Sequence, residues 1–179
     1  YGSTPVLMTY DGDYIEVNPV SAGADLHLLI VDLGGRKDTI RILRDLNSAF
    51  PFASTKEQMA AQHYLGPLNA AIVDDAINAI GRGDAPALGE LMERAQAELD
   101  EHLSPLCPSE LTAPLLHGLL EDRALAEHVY GGKGVGSQGD GSAQFVCRGI
   151  EARERAAELL SSEYGMVSYP LDIPAGGTA

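Results

Sequence analysis

Between Gly131 and Gly141, six of eleven residues are glycine. Glycine loses more backbone freedom on folding than any other residue, so such density is tolerated where the chain takes positive φ or where another group comes very close. The run reads Gly131-Gly132-Lys133-Gly134-Val135-Gly136-Ser137-Gln138-Gly139-Asp140-Gly141-Ser142. A ligand phosphate is one group that approaches this way: successive amides of a tight loop make a concave anion site, to which Lys133 adds charge and Ser137 a hydroxyl. A flexible linker or a hairpin tip is the plainer reading. Against it, the run lies between apolar segments and carries Val135 with single Lys, Gln and Asp residues instead of Gly/Ser monotony. It is not a Walker A loop, because Gly134 follows Lys133 where Ser or Thr is required. Gly134-x-Gly136-x-x-Gly139 has the dinucleotide spacing, but a helix precedes it and a strand follows, the reverse of that motif's context.

Around this segment the elements follow in a definite order. Val6 to Tyr10 and Tyr14 to Val17, joined by Asp11-Gly12-Asp13, read as a hairpin. Leu26 to Val31 reads as a buried strand. Ile40, Leu43 and Leu46 mark a short helix that stops before Pro51. From Lys56 to about Leu103 the pattern is helical and predicts an antiparallel pair. One stripe is Leu65, Leu68, Ile72, Ala76 and Ile80, the other Leu88, Leu91, Ala95 and Leu99. Gly81 and Gly83 end the first helix, and Asp84 caps the second with Pro86 in its first turn. A third helix starts near Thr112 and runs through Leu115, Leu116 and Leu119. A strand over Ala143 to Cys147, a helix over Glu151 to Leu160 and a strand over Met166 to Tyr169 complete the order. This is an α+β layout, a ferredoxin-like split βαβ antiparallel sheet with inserted helices packed on one face. The tail over 171–179 lacks a large apolar anchor and is expected to be disordered.

Charge limits the partners. Twelve basic against 26 acidic residues give a formal −14, a field that repels nucleic acid and anionic lipid. No uninterrupted apolar run exceeds four residues, Leu28 to Val31 being one, against the ~18 that a membrane span needs. Neither nucleic acid nor a membrane is an expected partner. Cys107 and Cys147 form no CxxC or Cys/His cluster, and the five histidines show no HxxxH or HExxH spacing. No disulfide framework and no metal site is expected, and a reducing cytoplasm is the expected location.

Only three lysines occur, and two of them, Lys37 and Lys133, fall in glycine-containing segments. Lys37 belongs to Gly34-Gly35-Arg36-Lys37-Asp38-Thr39, between a strand and a helix. Asp38 or Thr39 as N-cap explains two of these residues. The cation pair Arg36-Lys37 is not explained by capping, since cations at a helix N-terminus oppose the dipole by ~0.3 to 1 kcal/mol. A nearby anion removes the conflict, which makes this segment a second candidate site.

The glycine run in its helical context, with Gly83-Asp84, Leu88-Gly89-Glu90-Leu91-Met92 and Pro108-Ser109-Glu110-Leu111 before it and a strand after it, resembles the carboxyl half of GHMP-family kinases. The family is named for galactokinase, homoserine kinase, mevalonate kinase and phosphomevalonate kinase. Its third motif reads like GAKxTGxGGGG. Gly131, Lys133, Gly136, Gly139 and Gly141 match it, Gly132, Val135 and Ser137 are mild variants, and Gln138 and Asp140 depart. The resemblance implies that residues 133–141 (Lys133, Gly134, Val135, Gly136, Ser137, Gln138, Gly139, Asp140, Gly141) lie beside nucleotide phosphates and that Lys37, Asp38 and Thr39 face the substrate pocket. Asp140 then either faces magnesium or marks a loop set further from the anion. What is implied is transfer of the ATP γ-phosphate, with Mg2+, to a hydroxyl of a small molecule, with a sugar or sugar acid favoured by the loop variant.

The family's Pro-x-x-x-Gly-Leu-x-Ser-Ser motif and its catalytic aspartate have no counterpart here. The chain therefore reads as a part whose catalytic residues lie before Tyr1. Residues 1–25 continue strands from the missing amino-terminal half, and 26–170 form the carboxyl domain. Alone it is expected to lack kinase activity, and its uncovered hairpin to invite self-association. A non-catalytic ferredoxin-like module, binding a ligand or a protein, is the alternative.

Overall fold

The computed structural model describes residues 4–176. Strands β1 (Val6–Asp11) and β2 (Tyr14–Pro19) form the expected hairpin, turned at Gly12 with φ +57°. Met8 faces Val17 and Tyr10 faces Ile15 across the ladder. With side chains alternating between faces, Val6, Met8, Tyr10, Ile15 and Val17 share one face, and all five are exposed. Among the described residues the hairpin is a two-stranded sheet of its own.

Strand β3 (Leu26–Asp32) opens the main sheet. The helical stretch that follows comprises α1 (Thr39–Asn47), α2 (Lys56–His63), α3 (Asn69–Arg82), α4 (Ala85–His102), α5 (Pro108–Leu111), α6 (Pro114–Leu120) and α7 (Arg123–Ala126). Then come β4 (Val129–Gly134), β5 (Ser142–Cys147), α8 (Ile150–Tyr164) and β6 (Val167–Ile173). The sheet order is β4-β5-β3-β6, every neighbouring pair antiparallel. β5 lies between β3 and β4, and β3 between β5 and β6. These are two interlocked split βαβ units, the ferredoxin-like arrangement. The first crossover carries α1 to α7, and the second carries α8 alone.

Several details differ from the sequence reading. The stretch from Lys56 to Arg82 is not one helix: Pro67 removes a backbone donor, Gly66 leaves helical geometry, and a π-type turn over Tyr64–Leu68 separates α2 from α3. Helices cover both faces of the sheet. Leu29, Val31, Ala143 and Phe145 pack with Leu116, Leu119, Leu125 and Leu160 of α6 to α8, while Leu26, Leu28 and Val146 pack with Ala79, Leu88 and Met92 of α3 and α4. Finally, residues 171–176 of the expected disordered tail are held in place. Ile173 pairs with Leu26, and beyond it the amide of Ala175 donates to Asp25 and that of Gly176 to the Ala22 carbonyl. Backbone pairing supplies the anchor that the side chains lack; residues 177–179 lie outside the described residues.

Gly131 and Gly132 belong to β4, not to a loop. A Cβ on Gly89 of α4 would stand 2.6 Å from the Tyr130 carbonyl carbon, and one on Gly131 would overlap Gly89. The two glycines let α4 lie directly against the backbone of β4, which covers that edge of the sheet.

Candidate functional site

The loop proper is the seven-residue connection 135–141 of the β4–β5 hairpin. Lys133 and Gly134, expected as loop residues, are the last two of β4, paired with Gln144 and Ala143. The glycines that β propensity disfavours are used there for close packing, so a strand forms where composition suggests a loop. The Val135 amide donates to the Ser142 carbonyl at 3.0 Å and closes the neck. At its apex Gly136 takes φ +65°, followed by Gln138 at +65° and Gly139 at +73°. Gly136 is exposed and a Cβ there would meet nothing within 4 Å, so it is the backbone angle, not space, that calls for glycine.

The second candidate segment comes to the same place. Lys37 reaches across so that its Nζ donates to the Gln138 carbonyl at 3.0 Å, its methylenes lying against Gly139 and Gly141. Thr39 Oγ1 stands 3.3 Å from Ser137 Oγ. Asp38 is engaged with backbone instead. Its Oδ1 accepts from the Arg41 amide at 2.9 Å and caps α1, while its own amide donates to Glu110 Oε2 at 2.9 Å. Lys37 and Thr39 thus share one surface with Ser137, and Asp38 starts the helix that presents them.

Asp140 is engaged with backbone as well. Its Oδ1 accepts from the amides of Leu115 and Leu116, both at 3.0 Å, and so caps the first turn of α6. That helix begins at Ala113, whose side chain has no oxygen and whose φ is +37°; the cap comes from a distant residue because the local one cannot supply it. Lys133 folds back to the Gly134 carbonyl at 2.7 Å, and burial pushes its ammonium below the ordinary lysine range. Gln138 is buried, its Nε2 donating to the Gly134 carbonyl at 3.2 Å while its Oε1 has no partner.

Sequence reasoning missed two contributors. Glu110 orients the approach to α1, and Gln96 of α4 accepts the Gly134 amide at 2.9 Å. Neither has a local signal, since each meets its partner only through the fold. The fit to a phosphate rests on what the surface leaves free. Ser137, Thr39 and the Lys37 ammonium converge, and the Gly136 and Ser137 amides donate to no protein group among the described residues. Magnesium fits less well. The three carboxylates beside the loop, Asp38, Glu110 and Asp140, each accept from backbone amides. Among the described residues no helix is long and apolar enough to cross a membrane.

No protein-family model matches the sequence, and no curated protein sequence matches it. Solved structures do match the fold. L. major mevalonate kinase in complex with R-mevalonate has a TM-score of 0.68 at 18% identity over 97% of this chain and 50% of its own. Lactococcus lactis galactokinase complexed with galactose gives 0.61 at 13%, over 98% of this chain and 52% of its own. Homoserine kinase from Cytophaga hutchinsonii gives 0.57 at 15%, over 95% and 48%. The fold is the one found in GHMP kinases, and the chain spans about half the length of these proteins.

Proposed function

We propose that this chain is the phosphate-backing part of an ATP-dependent small-molecule kinase, one that transfers the γ-phosphate to a substrate hydroxyl, with a sugar or sugar acid as acceptor. The observation that carries the reading is the meeting of Lys37, Thr39 and Ser137 at a loop whose apex needs left-handed backbone, on the fold of GHMP kinases. Phosphoryl transfer is catalysed mainly by positioning and by electrostatic stabilisation of the transferring group. In this reading the Gly136 and Ser137 amides and the two hydroxyls bind phosphate oxygens, and Lys37 offsets their charge. When bound, ATP supplies the transferable phosphoryl group. The residue that engages the acceptor hydroxyl comes from the other half of the kinase. The carboxylates of this chain hold its backbone, so no magnesium step is assigned to them.

The test is MgATP binding and coupled ADP release by the two halves together, across a panel of sugars, sugar acids and other small alcohols. The 179-residue chain alone is expected to give no turnover. In the assembled protein Gly136→Val should abolish nucleotide binding. A valine held at φ +65° costs ~1 to 2 kcal/mol of backbone strain, and it fills the apex that the phosphate would approach. Equal ATP affinity in wild type and variant overturns the loop assignment.

A further inference from the structure

The two stems of the glycine loop are held by different helices. On the incoming side Gln96 of α4 accepts the Gly134 amide through Oε1 at 2.9 Å. On the outgoing side Asp140 is fixed to the first turn of α6 by the amides of Leu115 and Leu116. One side-chain pair joins these helices: His117 Nε2 of α6 lies 2.9 Å from Asp100 Oδ2 of α4. The other oxygen of Asp100 accepts from Gln96 Nε2 at 3.0 Å, which turns the Gln96 oxygen toward Gly134. The second ring nitrogen, His117 Nδ1, lies 2.9 Å from the Ala113 carbonyl at the start of α6. A carboxylate and a carbonyl can only accept. Both contacts are hydrogen bonds only when both ring nitrogens carry protons.

We propose that the His117–Asp100 pair is the positioning device of the glycine loop: doubly protonated, it locks α4 and α6 onto the two stems, and loss of one proton releases them. A proton lost from Nδ1 sets a lone pair against the Ala113 carbonyl and loosens the start of α6, where Asp140 is anchored. A proton lost from Nε2 sets a lone pair against Asp100, which then no longer orients Gln96. His117 lines a cavity of about 340 Å3 with Glu93 and Asp100 of α4, Glu121 and Asp122 beyond α6, and Arg148 after β5. Asp100 is the one of these in contact with the ring. Arg148 lies instead over the Tyr130 ring, 4.7 Å from its centroid.

Burial pulls the imidazolium down, but the hydrogen bonds to Asp100 and the Ala113 carbonyl outweigh it and hold His117 above the ordinary 6.5. The lock is therefore complete below the ordinary histidine range and is lost as pH rises through the raised value. The link from loop order to nucleotide affinity rests on the kinase reading, whereas loop order itself does not.

Loop order is read first, without nucleotide. Ring-nitrogen NMR shifts should show His117 keeping both protons to a higher pH than a free histidine does. Amide exchange at Gly134, corrected for the intrinsic rate, should lose about tenfold in protection as His117 deprotonates, the size of one charge-assisted hydrogen bond. In His117→Gln and in Asp100→Asn that pH dependence should vanish. A neutral His117 beside a fully protected loop overturns the proposal, as does a wild-type pH dependence that persists in both variants. Should the variants not fold, the wild-type titration decides alone, by whether the two midpoints coincide. If loop order follows His117 but MgATP affinity of the assembled kinase does not, the positioning role stands and the assignment of the nucleotide phosphates to this loop fails.

Discussion

Replacing Asp140 by alanine removes at one stroke the acceptor for two backbone N–H groups, those of Leu115 and Leu116. No local residue takes over, because Ala113 at the helix start has no side-chain oxygen. A lost N-cap costs ~0.5 to 2 kcal/mol, and hydrogen bonds to a charged acceptor lie toward the upper end. We expect about 1.5 kcal/mol for Asp140→Ala and about half that for Asp140→Asn, which keeps an acceptor without the charge. Urea unfolding followed by circular dichroism measures the global loss. Exchange of the Leu115 and Leu116 amides measures the local one, about tenfold for the alanine variant. Nucleotide affinity, with and without magnesium, is measured on the same variants in the assembled kinase. If Asp140→Ala leaves stability and both amides unchanged yet removes the magnesium dependence of binding, the carboxylate faces the metal and the capping account is wrong.

Two further outcomes follow from other parts of the molecule. Met8 and Val17 face each other on the exposed apolar side of the hairpin, so Met8→Lys with Val17→Lys should reduce the self-association seen by light scattering; a monodisperse wild-type monomer refutes this. Asp172 is held below its ordinary 3.8 by the paired Arg153 guanidinium, with His27 adding to it. It is charged in both folded and unfolded chains at neutral pH, where its contribution is complete. As pH falls below the ordinary value, the unfolded chain takes up the proton first and stability drops until the native carboxyl is protonated too. Asp172→Asn should therefore flatten the acid limb of the stability curve, and an unchanged limb counts against the pair.

What was legible in the sequence was what local rules decide. The hairpin followed from alternation around Asp11-Gly12-Asp13, and the start of α4 from Asp84, whose side chain does accept from the Ala87 amide at 3.1 Å. The ferredoxin-like arrangement fitted the succession of elements even though one of its four strands went unread. β4 was not legible, because Gly131 is there to admit α4 at Gly89, a contact between distant residues that leaves no periodic trace. The break at Pro67 was hidden for the opposite reason: the apolar pattern runs through it, and periodicity is blind to a π-type turn, which buries Tyr64 and leaves Leu65, the first residue of the expected stripe, exposed. His117 reads in the sequence as an ordinary structural or surface histidine, and only the fold places acceptors at both of its nitrogens.

The lysines answer the question that the helix start at Asp38 raised. Cations before α1 conflict with its dipole, and the fold resolves part of this by bending Lys37 away to the Gln138 carbonyl while Asp38 caps the helix. That carbonyl is neutral, as is the Gly134 carbonyl that receives Lys133. The two ammonium groups of the loop region are therefore hydrogen-bonded but not neutralised, in a protein whose 26 acidic residues exceed its 12 basic ones. A carboxylate there would cost the fold nothing in net charge, and three stand close by, yet Asp38, Glu110 and Asp140 are all spent on backbone amides. Burial without a counter-ion is what lowers the Lys133 ammonium, and a bound anion would raise it again. An anion from outside this chain would meet that charge, and the phosphate of the proposed nucleotide is one such anion.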